Sequence, residues 1–198
     1  METVSQFIIS EMDLVERIIF FYNLTDEELE ISRKAFKPKT LPAKSFFLEE
    51  GKIAREVGFI EIGLFRSFLY DDNANDITTH FFQPGTVLIS MKSFNNQIPS
   101  KENIVALEDS KIYVISYNEM AKLYELVPAW RQITKDVDEM KFNALMNRSI
   151  QLQTLSASER YDLFCRNFPE IIQKVALKHI ASYLGIDIAT LSRIRKKR

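Results

Sequence analysis

The side chains best placed to do chemistry are the cations near the C-terminus. Residues 171–198 carry Lys174, Lys178, Arg193, Arg195, Lys196, Lys197 and Arg198 against Asp187 alone, a net charge of +6. The whole chain is −1, so the other 170 residues sum to −7. A basic end on an acidic body directs that end alone toward a polyanion. Catalysis has much less to draw on. There are two histidines (His80 and His179), one cysteine (Cys165) and five scattered glycines. No metal-ligand spacing and no phosphate-cradling glycine loop stands out. The expectation is therefore no catalytic residue, no metal and no cofactor.

Residues 177–196 set out how those cations are held. A helix-turn-helix needs a small residue where its two helices cross, and Ala181 supplies it. Four positions later it needs a residue that tolerates positive φ, and Gly185 stands there. Ile180, Leu184, Ile186, Leu191 and Ile194 give the apolar positions that pack the helices together, and Asp187 suits the second helix's N-cap. Ile188, Ala189, Ser192, Arg193 and Lys196 then point away from the packing face. In a DNA major groove the first turns of such a helix meet base edges, while flanking cations meet phosphates. Arg193 suits a guanine, whose O6 and N7 match its fork; a phosphate contact or plain solvation are the alternatives. Thr190 and Ser192 offer hydroxyls to a base or a phosphate. Arg195, Lys196, Lys197 and Arg198 suit phosphates, with affinity that falls as salt rises. His179 reads as a surface helix residue.

The elements ahead of this segment change period twice. Residues 1–36 read helical, with Phe7, Ile8, Met12, Val15, Ile18 and Ile19 at three- and four-residue spacing and a capping box from Thr25 to Glu28. From Lys37 to Ile115 the period falls to two. Phe46–Leu48, Val57–Ile62, Leu64–Tyr70, Ile77–Phe82 and Ile112–Ile115 are the clearest strands, and Glu49–Lys52, Asp71–Asp76 and Gln83–Gly85 the clearest connections. Short strands at this spacing predict a closed antiparallel jelly roll or barrel. Helix returns at Ser116, with Glu119 completing a second capping box, and Pro128 suits the start of a helix reaching about Leu152. On it Trp130, Ile133, Val137, Met140 and Ala144 recur at 3-4-3-4 spacing. That stripe fits a two-chain coiled coil or a helix lying on its own domain; the first is the expectation.

This order of helical start, roll, long helix and terminal helix-turn-helix resembles the Crp/Fnr family of bacterial transcription regulators. The likeness rests on Gly63-Leu64-Phe65-Arg66-Ser67, Ala106-Leu107-Glu108-Asp109, Lys178 to Gly185 and Leu191 to Arg195, and is strongest to the short members found in Bacteroidetes-type bacteria. It implies a homodimer reading a pseudo-palindrome in double-stranded DNA, with the roll as sensor and the long helix as coupling element.

The resemblance also implies a nucleotide cassette in which a Gly-Glu pair holds the ribose and an Arg followed by Ser or Thr grips the cyclic phosphate. The corresponding stretch runs from Gly85 to Met91 and from Ile98 to Ile104. Ile89 and Ser90 stand near the Gly-Glu place, Ser100 at or beside the arginine place, and only Lys101 brings a cation, next to Glu102. A hydrogen bond to a charged group contributes roughly 1.5–3 kcal/mol, and a bidentate arginine supplies two. Without that clamp, cyclic AMP and cyclic GMP are expected to bind weakly or not at all. Ser90, Met91, Ser100 and Lys101 are the candidate effector-pocket residues; another molecule, or Met91, Phe94 and Phe82 themselves, can fill the space. One cysteine does not suffice for an iron–sulfur cluster, His80 reads as a strand histidine, and Cys165 as a buried thiol.

The expected class is α+β. An antiparallel β-roll with N-terminal helices takes residues 1–127, a dimerisation helix residues 128–153, and a small winged-helix-like helix-turn-helix domain residues 154–198. The composition is that of a globular protein, 46% hydrophobic and 27% charged. With no apolar run of bilayer length and no basic N-terminal leader, a cytoplasmic protein with no membrane partner is expected. Expected partners are DNA, a second copy, an unidentified small-molecule effector and RNA polymerase. The competing function is a ligand-sensing or protein-interaction module whose helix-turn-helix no longer reads specific DNA, a reading favoured by the apolar Ile188 and Ala189.

Overall fold

The computed structural model describes residues 22–197. The helix expected over Phe7–Ile19 and the terminal cation Arg198 lie outside them.

Helix α1 (Asp26–Ala35) starts on the expected capping box: the Thr25 side chain accepts from Glu28 N–H, and the Glu28 carboxylate accepts from Thr25 N–H. Eight strands follow, interrupted by one short helix: β1 (Lys37–Leu41), β2 (Phe46–Leu48), β3 (Glu56–Ile62), β4 (Phe65–Tyr70), β5 (Asp76–Phe82), β6 (Val87–Leu88), α2 (Met91–Asn96), β7 (Asn103–Ala106) and β8 (Ser110–Ser116). They form two antiparallel four-stranded sheets, ordered β1-β8-β3-β6 and β2-β7-β4-β5. Alternation along β8 buries Ile112 and Val114 and exposes Lys111 and Tyr113. The inward residues Phe59, Ile60, Phe65, Phe82, Leu88, Ile104 and Ile112 share one apolar core. Gly63 turns the chain from β3 to β4 at φ 113°, and a Cβ there would fall 2.1 Å from the Ser110 hydroxyl, so the turn admits glycine on two counts.

Helices α3 (Tyr117–Leu126) and α4 (Ala129–Thr154) follow the roll. At the start of α3 only the forward half of the expected capping box forms, Glu119 N–H to the Ser116 hydroxyl. The 26-residue α4 begins inside the roll's core. Trp130 is 2% exposed and Ile133 3%, and the Trp130 indole N–H donates to Ser32 Oγ at 2.9 Å beside the Phe36 ring. This corrects the proposed seam. Trp130 and Ile133 anchor α4 to its own chain, Val137 is half-buried, and only Met140 and Ala144 of the five stand exposed. An apolar stripe at coiled-coil spacing does not distinguish a second chain from the body the helix lies on, and here its first half is used internally.

Helices α5 (Ala157–Asn167), α6 (Pro169–Lys174), α7 (Leu177–Leu184) and α8 (Ile188–Lys196) complete the fold. Their apolar cluster joins Tyr161, Phe164, Ile171, Ile180, Ala181, Leu184 and Leu191 to Leu64 and Phe81 of the roll. Among the described residues this head carries no strand. No helix of the described residues is long and apolar enough to cross a membrane.

Candidate nucleic-acid interface and sensor pocket

The turn between α7 and α8 forms as its residues require. Gly185 takes φ 65° and ψ 39°, and its N–H reaches the carbonyls of Ala181 and Ser182, closing the helix in the left-handed cap that glycine favours. A Cβ there would also sit 3.1 Å from a Leu152 methyl. Asp187 caps α8 with both oxygens, accepting from Thr190 N–H at 2.7 Å and from its hydroxyl at 2.7 Å. Those bonds hold the Asp187 carboxyl below its usual range. Ile180 and Leu191 are fully buried between the helices, with Ala181 1% and Leu184 3% exposed.

The opposite face of α8 is open. Ile188 is 51% exposed; Ala189, Arg193, Arg195, Lys196 and Lys197 are exposed, and Thr190 and Ser192 half-exposed. All eight expected contact residues are at least partly exposed: Ala189, Ser192, Arg193 and Lys196 lie away from the buried Leu191, whereas Ile188 and Arg195 flank it. Arg193 is folded back along the helix, donating to Thr190 Oγ1 at 2.9 Å and to the Ala189 carbonyl at 3.4 Å. His179, expected at the surface, is instead 16% exposed by side chain and faces Asp76 of β5 at 4.0 Å. Burial first, then repulsion from Arg66, pushes it down to about 4, so it is neutral near pH 7.

Two of the four expected pocket residues are buried and bonded to each other. Ser90 and Ser100 are 4% and 5% exposed, and their hydroxyls approach at 3.4 Å. Ser100 Oγ also donates to the Glu102 carbonyl at 2.8 Å and accepts from Glu102 N–H at 3.0 Å. Met91 opens α2 half-buried, and Lys101 is exposed. The cation that does reach this region comes from elsewhere. Lys141 of α4 donates to the Val87 carbonyl at 2.8 Å and lies 5.1 Å over the Phe82 ring. Burial pushes its ammonium down to about 8, against the pull of Glu102 and Asp138. Beneath it His80, stacked edge-on to Phe82, is pushed down to about 4 by burial and then by Lys141 and Arg148. Lys141 escaped the sequence reading because it lies 54 positions from its acceptor. Its place inside a polar stretch of helix carried no local signal. A groove of about 650 Å³ is lined by Phe46–Glu49, Lys52–Glu56 and Ser116. It adjoins the expected pocket, since the Ser100 N–H donates to the Lys52 carbonyl at 2.8 Å, but Ser90, Met91, Ser100 and Lys101 do not line it.

Residues 38–126 match the family model of the cyclic nucleotide-binding domain. No curated protein matches the chain. Among solved structures the chain is similar to the c-di-GMP responsive global regulator CLP of Xanthomonas campestris, at 14% identity over 87% of this chain and 91% of that one, TM-score 0.69. It is also similar to FixK2 of Bradyrhizobium japonicum, at 16% identity over 82% and 83% of the two chains, TM-score 0.70. A Eubacterium rectale protein described as a regulator of the crp/fnr family gives 14% identity over 88% and 83%, TM-score 0.70. The shared property is the fold: an antiparallel roll of two sheets followed by helices. The residues of the cassette do not fit a cyclic phosphate. No arginine stands between Gly85 and Ile104, and the three buried serine hydroxyls there, on Ser90, Ser93 and Ser100, are bonded within the chain.

Proposed function

We propose that this chain, built on the fold of the Crp/Fnr regulators, is a non-enzymatic, cytoplasmic transcription regulator that binds double-stranded DNA as a homodimer. The observation that carries the reading is the open face of α8. It is a capped helix, packed on its partner helix through Leu191, that presents Arg193, Arg195, Lys196 and Lys197 to solvent. Residues 1–127, 128–153 and 154–198 serve as sensor-like roll, dimer helix and reading head. RNA polymerase is the protein such a regulator would act on. Any effector would differ in chemistry from a cyclic nucleotide, because Ser90, Met91, Ser100 and Lys101 offer no phosphate clamp.

The dimer face we assign is the side of α4 turned away from the roll. Phe142, Leu145, Met146 and Ile150 recur there at three- and four-residue spacing and are 61, 53, 47 and 52% exposed. Four large apolar side chains on one helix face suit a second copy of the same helix.

Selection of bound duplexes from a random pool at moderate salt, with no effector added, tests the proposal. Enrichment of an inverted repeat is the expected result. Salt-sensitive binding with no enriched sequence would overturn specific reading and favour the interaction-module alternative, to which the exposed Ile188 is the clearest pointer.

A further inference from the structure

We infer that the helix-turn-helix head is clamped to the edge of the roll by the chain's own contacts, so that α8 is oriented without any bound effector. This deepens the proposed function and rests on it only where DNA is concerned.

Among the described residues strand β5 is the last strand of its sheet, so one side of its backbone has no strand partner there. Helix α7 lies along that side. The Thr78 N–H donates to Ser182 Oγ at 2.9 Å, and the same hydroxyl donates to the Asp76 carbonyl at 3.4 Å. One side chain of the head thereby answers two backbone groups of the roll. Thr78 is fully buried as a result.

Around this polar contact the packing is aromatic. Phe81 of β5 is 1% exposed, and its ring centroid lies 5.8 Å from Phe164, 6.5 Å from Phe168 and 5.3 Å from Tyr183. Leu64, from the turn before β4, joins the same cluster. The roll therefore supplies part of the head's own core, and a swing of the head would expose Phe81, Leu64 and Tyr183 together.

A third contact comes from α4. Arg148 donates to the Tyr183 carbonyl at 2.8 Å and stacks on its ring at 4.4 Å. On the roll side, buried Arg66 pairs with Asp76 through its two terminal guanidinium nitrogens and donates to the Thr78 hydroxyl at 3.0 Å. That fixes the stretch of β5 on which Ser182 lands. Roll, long helix and head thus meet at α7, and α8 is held through Leu191 and Gly185.

Hydrogen exchange on the full-length protein with no effector added tests this directly, with Phe81→Ala and Ser182→Ala as variants. In the unsubstituted protein the Thr78 amide and the amides of α7 exchange slowly. Phe81→Ala raises exchange in α7 and α8 at least tenfold while β3 and β8 stay within twofold. Ser182→Ala raises exchange at Thr78 with α5 unchanged. Fast exchange at Thr78 in the unsubstituted protein, or α7 indifferent to Phe81→Ala, overturns the clamp. If Phe81→Ala loosens β3 and β8 as well, Ser182→Ala decides, and an unaltered Thr78 then counts against it. A protein with this exchange pattern that enriches no DNA sequence would refute the proposed function and leave the clamp standing.

Discussion

Arg193 lies back along its own helix, bonded through Nε and one terminal nitrogen. Its contacts to Thr190 and Ala189 are exposed and worth little in water, so under the proposed function a bidentate partner on a guanine would replace them readily. Arg193→Ala should weaken binding to the enriched site by about 1–3 kcal/mol, with a smaller loss on unrelated duplexes. Titrations on both DNAs check this, and equal losses would make Arg193 a phosphate contact. His80 gives a prediction about acid. Its folded pKa of about 4 lies below the ordinary 6.5, so between those values the unfolded chain takes up a proton that the folded chain refuses. Stability is then full above pH 6.5 and falls as pH drops toward 4, by at most about 1.4 kcal/mol per pH unit for one histidine. His80→Gln should flatten the fall in melting temperature between pH 7 and 5. It should not abolish it, because His179 is shifted the same way.

Helices and strands differ in how openly the sequence announced them. The α7–turn–α8 unit was readable because every requirement is local: Ala181, Gly185 and Asp187 lie within seven residues and each answers one steric or hydrogen-bonding need. Removing one of them should therefore have a local effect. Asp187→Ala strips the cap from α8 and should cost about 1 kcal/mol of stability, seen as a lower melting temperature. The long helix was the harder case. Its stripe through Trp130 and Ile133 met the pattern of a coiled coil, but Phe36, Phe59 and Ser32 of the same chain claim the Trp130 side chain, and Ile133 belongs to the roll's own core. Phe142→Asp, on the face left open, should give monomers by sedimentation while Trp130 fluorescence stays native. A dimer that survives would place the interface elsewhere. The short β6 and α2 went unread because two strand residues and six helical ones give no period to detect.

At the scale of the molecule, the roll, the long helix and the head were each legible, but their mutual arrangement was not. That arrangement depends on pairs such as Thr78 with Ser182 and Val87 with Lys141, separated by 104 and 54 positions, which no local window relates. The cover that α7 gives to β5 also bears on colloidal behaviour. Stripped of residues 155–198, the roll would present an unpaired edge strand flanked by Phe81 and Leu64. That is a template on which another chain can add a strand. The shortened protein should self-associate at micromolar concentration, with light scattering rising over time where the full chain stays clear, and lysines placed at positions 77 and 79 should restore clarity. The head thus also covers the open edge of the roll.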